Sequence, residues 1–317
     1  MIKKSDKIYI AGHRGMVGSA CWRALEAEGY TNLVGKTSKE LDLRDQKTVE
    51  EFIRNEKPVV IIDAAAKVGG ILANDTYPYE FLMDNMLIQN NLIRSAHEND
   101  VPKFIFLGSS CIYPKFAPQP LKEEYLLTDS LEPTNEWYAI AKISGVKLIE
   151  ALRKEYVRDY VSLMPTNLYG PNDNFDLKSS HVLPAMIRKF HEAKINGNAP
   201  VELWGTGSPM REFLHVDDLG QAVLFALKNE LDEHLYNVGT GVDLTIKELA
   251  ELVQSTVEHQ GEIVWDSTKP DGTPRKLMDN SKLEAQGWSS FIQLNDGIDS
   301  TYQWFKDSHS RLREVSI

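Results

Sequence analysis

The chain has 317 residues, 42% of them hydrophobic, enough for one large core or two unequal domains. Its net charge of -11 and the lack of any long basic run argue against a nucleic-acid surface. No stretch approaches the ~20 apolar residues of a membrane span. Lys3, Lys4 and Lys7 lead into an apolar run too short for a signal peptide, which reads as a strand.

Cys21 and Cys111 are the two cysteines, with neither Cys-x-x-Cys nor framework spacing, which fits a reducing cytoplasm. No His/Cys/Asp cluster has metal-ligand spacing, so no metal is expected.

The first strand, 7–11, runs into Gly12-His13-Arg14-Gly15-Met16-Val17-Gly18 and then an amphipathic helix carrying Cys21 and Leu25. Glycines at this spacing let a backbone turn tightly and approach a pyrophosphate, and the helix start offers unpaired N–H groups to it. Strand 32–35 follows, then a helical pattern over 46–56 that stops at Pro58. Strand 59–62 ends at Asp63-Ala64-Ala65-Ala66, where small side chains leave room for a ligand. A helix over 79–98, a strand over 104–107, a long helix after Asn135 and a strand over 160–164 continue the alternation. This pattern predicts an α/β fold, a doubly wound parallel sheet with ligands at the carboxyl ends of its strands.

Beyond about Gly170 the pattern changes. A helix over 181–193, a strand over 200–204, and a strand over 211–216 with a helix from Asp217 come next. A strand at 236–239, another at 262–266 and further helices complete the chain. The expected division is a cofactor domain of 1–173, with 213–240 returning to it, and a smaller α+β substrate domain of 174–212 and 241–317.

An acid after the second strand would hold the ribose 2′-OH of NAD, whereas cations accommodate the 2′-phosphate of NADP. Here stand Lys36-Thr37-Ser38-Lys39, with the first acid at Glu40 and a further cation at Arg14. NADP is favoured.

The chemistry-bearing residues flank the strand at 104–107. Gly108-Ser109-Ser110-Cys111 closes it, and Tyr138 and Lys142 follow four residues apart, on one helix face. A free tyrosine has a pKa of about 10, so action near neutrality means offsetting roughly 4 kcal/mol, to which an ammonium and a bound nicotinamide contribute. Ser109 would hold a carbonyl oxygen while Tyr138 protonates it. The thiol two residues past Ser109 is the unusual addition.

This set of motifs resembles the extended short-chain dehydrogenase/reductases over nearly the whole chain. The resemblance rests on the glycine turn, Ala64-Ala65-Ala66-Lys67-Val68-Gly69-Gly70-Ile71, Gly108-Ser109-Ser110-Cys111-Ile112-Tyr113-Pro114, Pro165-Thr166-Asn167-Leu168-Tyr169-Gly170-Pro171 and Met210-Arg211-Glu212-Phe213-Leu214-His215-Val216-Asp217-Asp218. It implies a Rossmann domain and a NADPH-dependent epimerase-reductase of a GDP-bound 4-keto-6-deoxy sugar. That activity inverts the carbons beside the ketone, then reduces it.

By the same resemblance, Cys111 is the base and His181 the acid of inversion, beside the reductive trio Ser109, Tyr138 and Lys142. The cofactor is expected along Gly12 to Gly18, Lys36, Ser38, Lys39, Asp42, Leu43, Ala65, Leu107, Gly108, Ser109 and Ser110. Tyr138, Lys142, Pro165, Thr166, Asn167, Leu168 and His181 complete its contacts. Ser38 stands where relatives can carry a cation, which shifts the expected 2′-phosphate contact to Arg14, Lys36 and Lys39.

Lys189, Trp204, Arg211 and Asp279 are assigned to the GDP-sugar. Arg188 competes with Lys189, a strand tryptophan is commonly core, and Asp279 has a helix start to cap. A homodimer through the two long helices is a family-level expectation. The rival readings are a UDP-hexose 4-epimerase, a 4,6-dehydratase, and a non-enzymatic NADP-binding protein. The dehydratases carry acids where Ser110 and Cys111 stand, and a non-enzyme has no need of the Tyr–Lys pair.

Overall fold

The computed structural model describes residues 2–177, 179–269 and 271–308. The chain begins β1 (Ile8–Ala11), α1 (Met16–Ala27), β2 (Leu33–Val34), α2 (Gln46–Glu56) and β3 (Val60–Asp63). It continues α3 (Ile71–Thr76), α4 (Pro78–Glu98), β4 (Lys103–Leu107), α5 (Glu136–Tyr156), β5 (Asp159–Pro165) and β6 (Asn167–Tyr169). Next come α6 (Val182–Ile195), β7 (Val201–Trp204), β8 (Met210–His215), α7 (Val216–Lys228), β9 (Leu235–Val238) and β10 (Asp243–Thr245). Last are α8 (Ile246–Val257), β11 (Ile263–Asp266), β12 (Arg275–Lys276), α9 (Ser281–Ala285) and α10 (Leu294–Ser308).

The main sheet has six parallel strands in the order β2-β1-β3-β4-β5-β9. Strand alternation sends side chains to opposite faces. Ile8, Ile10, Val60, Ile62, Ile105 and Leu107 therefore pack with Leu25 of α1 and Leu219 and Val223 of α7. Tyr9, Ile61, Phe104 and Phe106 face the other way, onto Val49, Ile53, Leu92, Val146 and Ile149 of α2, α4 and α5. Both faces are covered, so the strands are apolar throughout.

Local signals set the helix limits. Asp45 caps α2 by accepting from Thr48 N at 3.0 Å, and Lys57 ends it in the left-handed region at φ 51°. Pro78 opens α4, and Thr245 with Glu248 forms a capping box on α8.

The second lobe has its own core, with Phe190, Phe213, Leu249, Val253, Tyr302 and Phe305 at its centre. Its mixed sheet runs β10-β8-β12 with β6 also pairing β8, beside a two-stranded parallel pair of β7 and β11. Of the segment 213–240, α7 and β9 lie on the main sheet, whereas residues 213–215 belong to β8 and the second sheet. The motif from Pro165 to Pro171 holds a strand, β6, and this strand, like α3, β10 and β12, is too short to show a period in the sequence. Buried Glu212 joins the lobes by accepting from Thr240 N, Gly241 N and Met278 N at 2.6, 2.7 and 3.0 Å. Among the described residues no helix is long and apolar enough to cross a membrane.

Candidate active site

The chain goes from β1 to β2 on one side and then crosses to β3 on the other, so the order reverses between β1 and β3. A crevice at the carboxyl ends of these strands is where such sheets bind ligands. Gly12 sits there at φ 75°, and a Cβ on it would stand 2.6 Å from the Ala64 carbonyl oxygen. No other residue closes that turn without strain. The first turn of α1 starts at Gly15 with no side-chain cap and no acid, so its N–H groups face the crevice uncommitted to side chains. These observations fit a dinucleotide pyrophosphate.

His13 lies over Gly35 at the end of β2 and tilts against Trp22, with ring centroids 5.8 Å apart. Arg14 and Lys36 both act electrostatically on Glu40, whose carboxylate accepts from Thr37 N and Oγ1 at 2.8 and 2.7 Å. A cation of the glycine turn and one past β2 thus both act on Glu40, while Ser38 and Lys39 are exposed. Asp42 is exposed and paired bidentately with Arg44, at 3.0 and 2.9 Å, and Leu43 O accepts from Asn91 Nδ2 at 2.9 Å. Met16 and Val17 form the first turn of α1. Thr166 and Asn167 both donate to Glu212 O, at 3.4 and 2.8 Å, and Leu168 packs on the core beneath the main sheet.

Close helix–sheet packing sets the reductive trio. A Cβ at Gly145 would meet the Phe106 ring at 2.6 Å, so only glycine lets α5 approach β4 this closely. Gln89 of α4 donates to Ala141 O at 2.5 Å and Ser144 Oγ at 2.9 Å, locking the two long helices. The approach brings Lys142 Nζ to Leu107 O at 2.9 Å, and its ammonium sits 4.7 Å over Phe106 and 5.9 Å over Tyr138. Gly108 N donates to Leu163 O at 3.0 Å, holding the strand end that presents Ser109 and buried Ser110. Burial pushes the Tyr138 phenol upward, and negative charge at Cys111 and Asp63 pushes the same way. The phenol is therefore proton-loaded at neutral pH, the state a general acid needs. Burial lowers Lys142, while Asp63 and Cys111 pull it back up.

Cys111 lies in a short 3-10 turn, Ser110–Ile112, and its N–H donates to Ser109 Oγ at 3.4 Å. Tyr113 anchors the turn to β9 by donating to Asn237 Oδ1 at 2.5 Å. Burial raises the thiol; the charge of Lys276, a bond with Ser109 and the charge of Lys142 lower it. His181 is the N-cap of α6 and makes no side-chain cap bond; loss of solvation and then the charge of Lys276 hold its imidazole below the usual range. Its segment is tied back to the loop after β3, where Gly70 N donates to Ser179 O at 3.2 Å. Cys111 and His181 both sense Lys276, so the two share one charge environment.

The residues assigned to the sugar nucleotide fare unequally. Arg211 is half-buried, one amino group donating to Met210 O at 2.7 Å and the guanidinium lowered by burial. Trp204 is 64% exposed, so it is not a core tryptophan, and Lys269 lies 5.6 Å above its ring. Lys189 donates to Glu202 O at 2.8 Å, while Arg188 binds Glu192 and Phe175 O at 2.7 and 3.1 Å. The Asp279 carboxylate accepts from Ser281 N at 3.0 Å and from the Ser281 hydroxyl, a helix-start role.

Two groups here escaped sequence reading. Lys276 showed no motif of its own. Asp63 is wholly buried, with Oδ1 accepting from Ala65 N at 3.2 Å and Oδ2 unpartnered. Burial pushes its carboxyl up to about 6, against attraction from Lys142. An acid closing an otherwise apolar strand was the available signal. Among the described residues no His/Cys/Asp/Glu group is arranged to hold a metal.

Fold and site together define a dinucleotide-dependent enzyme of the extended short-chain type. The chain belongs to the NAD dependent epimerase/dehydratase family, whose model matches residues 8–239. It is 60% identical to GDP-L-fucose synthase 1 of Arabidopsis thaliana, over 96% of this chain and 94% of that one. It is 52% identical to the GDP-L-fucose synthase of Escherichia coli K12, over 97% and 99% of the two chains. The structure of a GDP-L-fucose synthetase from Naegleria fowleri bound to NADP superposes with a TM-score of 0.92 at 28% identity, covering 99% of this chain and 96% of that one.

Proposed function

We propose that the protein converts GDP-4-keto-6-deoxy-D-mannose to GDP-L-fucose, inverting C3 and C5 and then reducing the C4 ketone with NADPH. The observation that carries this reading is the Cys111 thiol beside Ser109, in one charge environment with His181. Simple ketone reduction needs neither group. Relatives of 60% and 52% identity over nearly the full chain support the substrate.

C3 and C5 flank the ketone, so their protons become acidic when the enolate oxygen is held. Ser109 and Tyr138 hold that oxygen. The Cys111 thiolate takes a proton from one face and His181 returns one to the other. Bound at the glycine turn, NADPH supplies the hydride to C4. Tyr138 gives its proton to the C4 oxygen, and the Lys142 ammonium favours the phenolate left behind. The Arg14 and Lys36 pair suits the 2′-phosphate, and Arg211 suits the diphosphate of the GDP-sugar. Trp204 offers an exposed aromatic surface to base or sugar. Lys189 and Asp279 carry less of this reading, since their charged groups are engaged within the chain.

The smaller lobe, residues 174–212 and those after 241, supplies the sugar-nucleotide side; the expected limit at 317 lies outside the described residues. Tyr79, Met83 and Leu87 expose one apolar stripe on α4, with Trp137 and Ile140 exposed on α5. That stripe supports a homodimer through these helices, and two free cysteines support a reducing, cytoplasmic setting.

The test is cofactor oxidation with GDP-4-keto-6-deoxy-D-mannose, NADPH and NADH side by side. Rapid NADPH consumption is expected. No consumption, together with turnover of a UDP-hexose, sinks the assignment.

A further inference from the structure

Lys276 is a cation held in place by its backbone and, among the described residues, left without a partner at its tip. Strand β12 lies parallel to β8, with Arg275 opposite Met210 and Lys276 opposite Arg211. Neighbouring residues of a strand point to opposite faces. Arg275 spends its face on Asp243, at 2.6 and 3.1 Å. Lys276 therefore shares one face of the sheet with Arg211.

The flanking backbone is pinned on both sides. Met210 N donates to Pro274 O at 2.8 Å, Leu277 N to Gln119 Oε1 at 2.9 Å, and Leu121 N to Leu277 O at 2.7 Å. Those last bonds attach the segment to the loop that follows the Cys111 turn. Among the described residues the ammonium has no hydrogen bond and no ion pair. Glu132, the nearby carboxylate it senses, is committed to Lys115 at 3.0 Å and to Thr273 Oγ1 at 3.3 Å. Cys111, His181 and Arg211 surround it electrostatically. Leaving a half-buried ammonium unpaired is unfavourable unless another group uses its charge.

We propose that Lys276 is a positioning residue for epimerisation, whose fixed charge draws the Cys111 thiol into its thiolate form. This rests on the reading of Cys111 as the base. The thiol's proton leaves to solvent. The thiolate then takes a proton from C3 or C5, the C–H electron pair moving into the enolate, and His181 returns a proton to the opposite face. Solvent exchange resets both groups. Lys276 gains and loses nothing in the cycle. It acts by lowering the energy of the thiolate before the sugar reacts. Lys142 is the other nearby cation, but it is committed to Leu107 O and serves Tyr138.

The experiment titrates the thiolate by its ultraviolet absorbance in the full chain, with Cys111→Ser as the blank, for Lys276→Met, Lys276→Gln and Lys276→Arg. The midpoint should rise by about one pH unit or more in the Met and Gln variants and stay near wild type in the Arg variant. Deuterium incorporation at C3 and C5 should fall roughly tenfold near neutrality in the Met and Gln variants and recover at higher pH. An unmoved thiolate midpoint in folded Met and Gln variants overturns the proposal. So does a raised KM for the GDP-sugar with unchanged exchange at saturation, which makes Lys276 a diphosphate holder. If the wild type itself shows no exchange, the epimerase reading fails, while the absorbance titration still decides whether Lys276 controls the thiol.

Discussion

Tyr138 and Lys142 stand one turn apart on α5, whereas Cys111, His181 and Lys276 come from a 3-10 turn, a helix start and a two-residue strand. The reductive half is rigid because one helix carries it and Gly145 seats that helix on β4. The inverting half spans two lobes, each with its own core, and is assembled by backbone bonds between loops. Reduction of the bound sugar should therefore depend less than inversion on the alignment of the two lobes.

The largest effect expected is for Tyr138→Phe. Removing a general acid costs about 10²–10⁴ in rate, read as single-turnover NADPH absorbance, with NADPH affinity changed little. Retained reduction would break the assignment of the reductive half. Cys111→Ser should lower deuterium incorporation at C3 and C5 by about 10² while sparing NADPH binding and the reduction of sugar already inverted. Exchange at the wild-type rate in that variant would remove Cys111 from the site.

A smaller effect tests the cofactor end. Replacing Arg14 and Lys36 together by alanine should weaken NADPH about tenfold or more and leave NADH nearly unchanged, measured by fluorescence titration. Equal losses for both cofactors would place the 2′-phosphate elsewhere.

The smallest effect concerns Asp63, whose carboxyl rises from 3.8 to about 6 on folding. The native state holds this proton more tightly than the unfolded chain. Its contribution to stability is thus greatest below about pH 4 and falls as pH rises towards 6. Asp63→Asn keeps an acceptor for Ala65 N and removes that slope. At pH 7.5 the gain is at most about 3 kcal/mol, less the lost attraction to Lys142, or a few degrees in Tm. An unchanged slope in thermal melts between pH 4 and 6 would show that the carboxyl is not the titrating group.

The alternation of apolar runs and amphipathic helices was legible in sequence because a buried parallel strand and a half-buried helix each impose a period. Helix α2 spans 46–56 as its pattern predicts, since Asp45 and Pro58 punctuate it. The glycine turn and the Tyr138–Lys142 pair were legible for the same reason: their geometry is local, within one turn or one helix face. Strands β6, β10 and β12 had no such signature. Trp204 and Asp279 show the same limit: exposure and a hydrogen bond to Ser281 depend on neighbours that spacing does not reveal.

What the sequence determined by itself is the doubly wound sheet, the dinucleotide turn and a proton-donating tyrosine with its lysine. Tertiary structure decided which distant charges surround the thiol. The charge of Lys276 acts on Cys111 because β12 pairs with β8 and its flanks bond to the loop at Gln119 and Leu121. Electrostatic influence depends on distance through space, and chain separation carries no record of it.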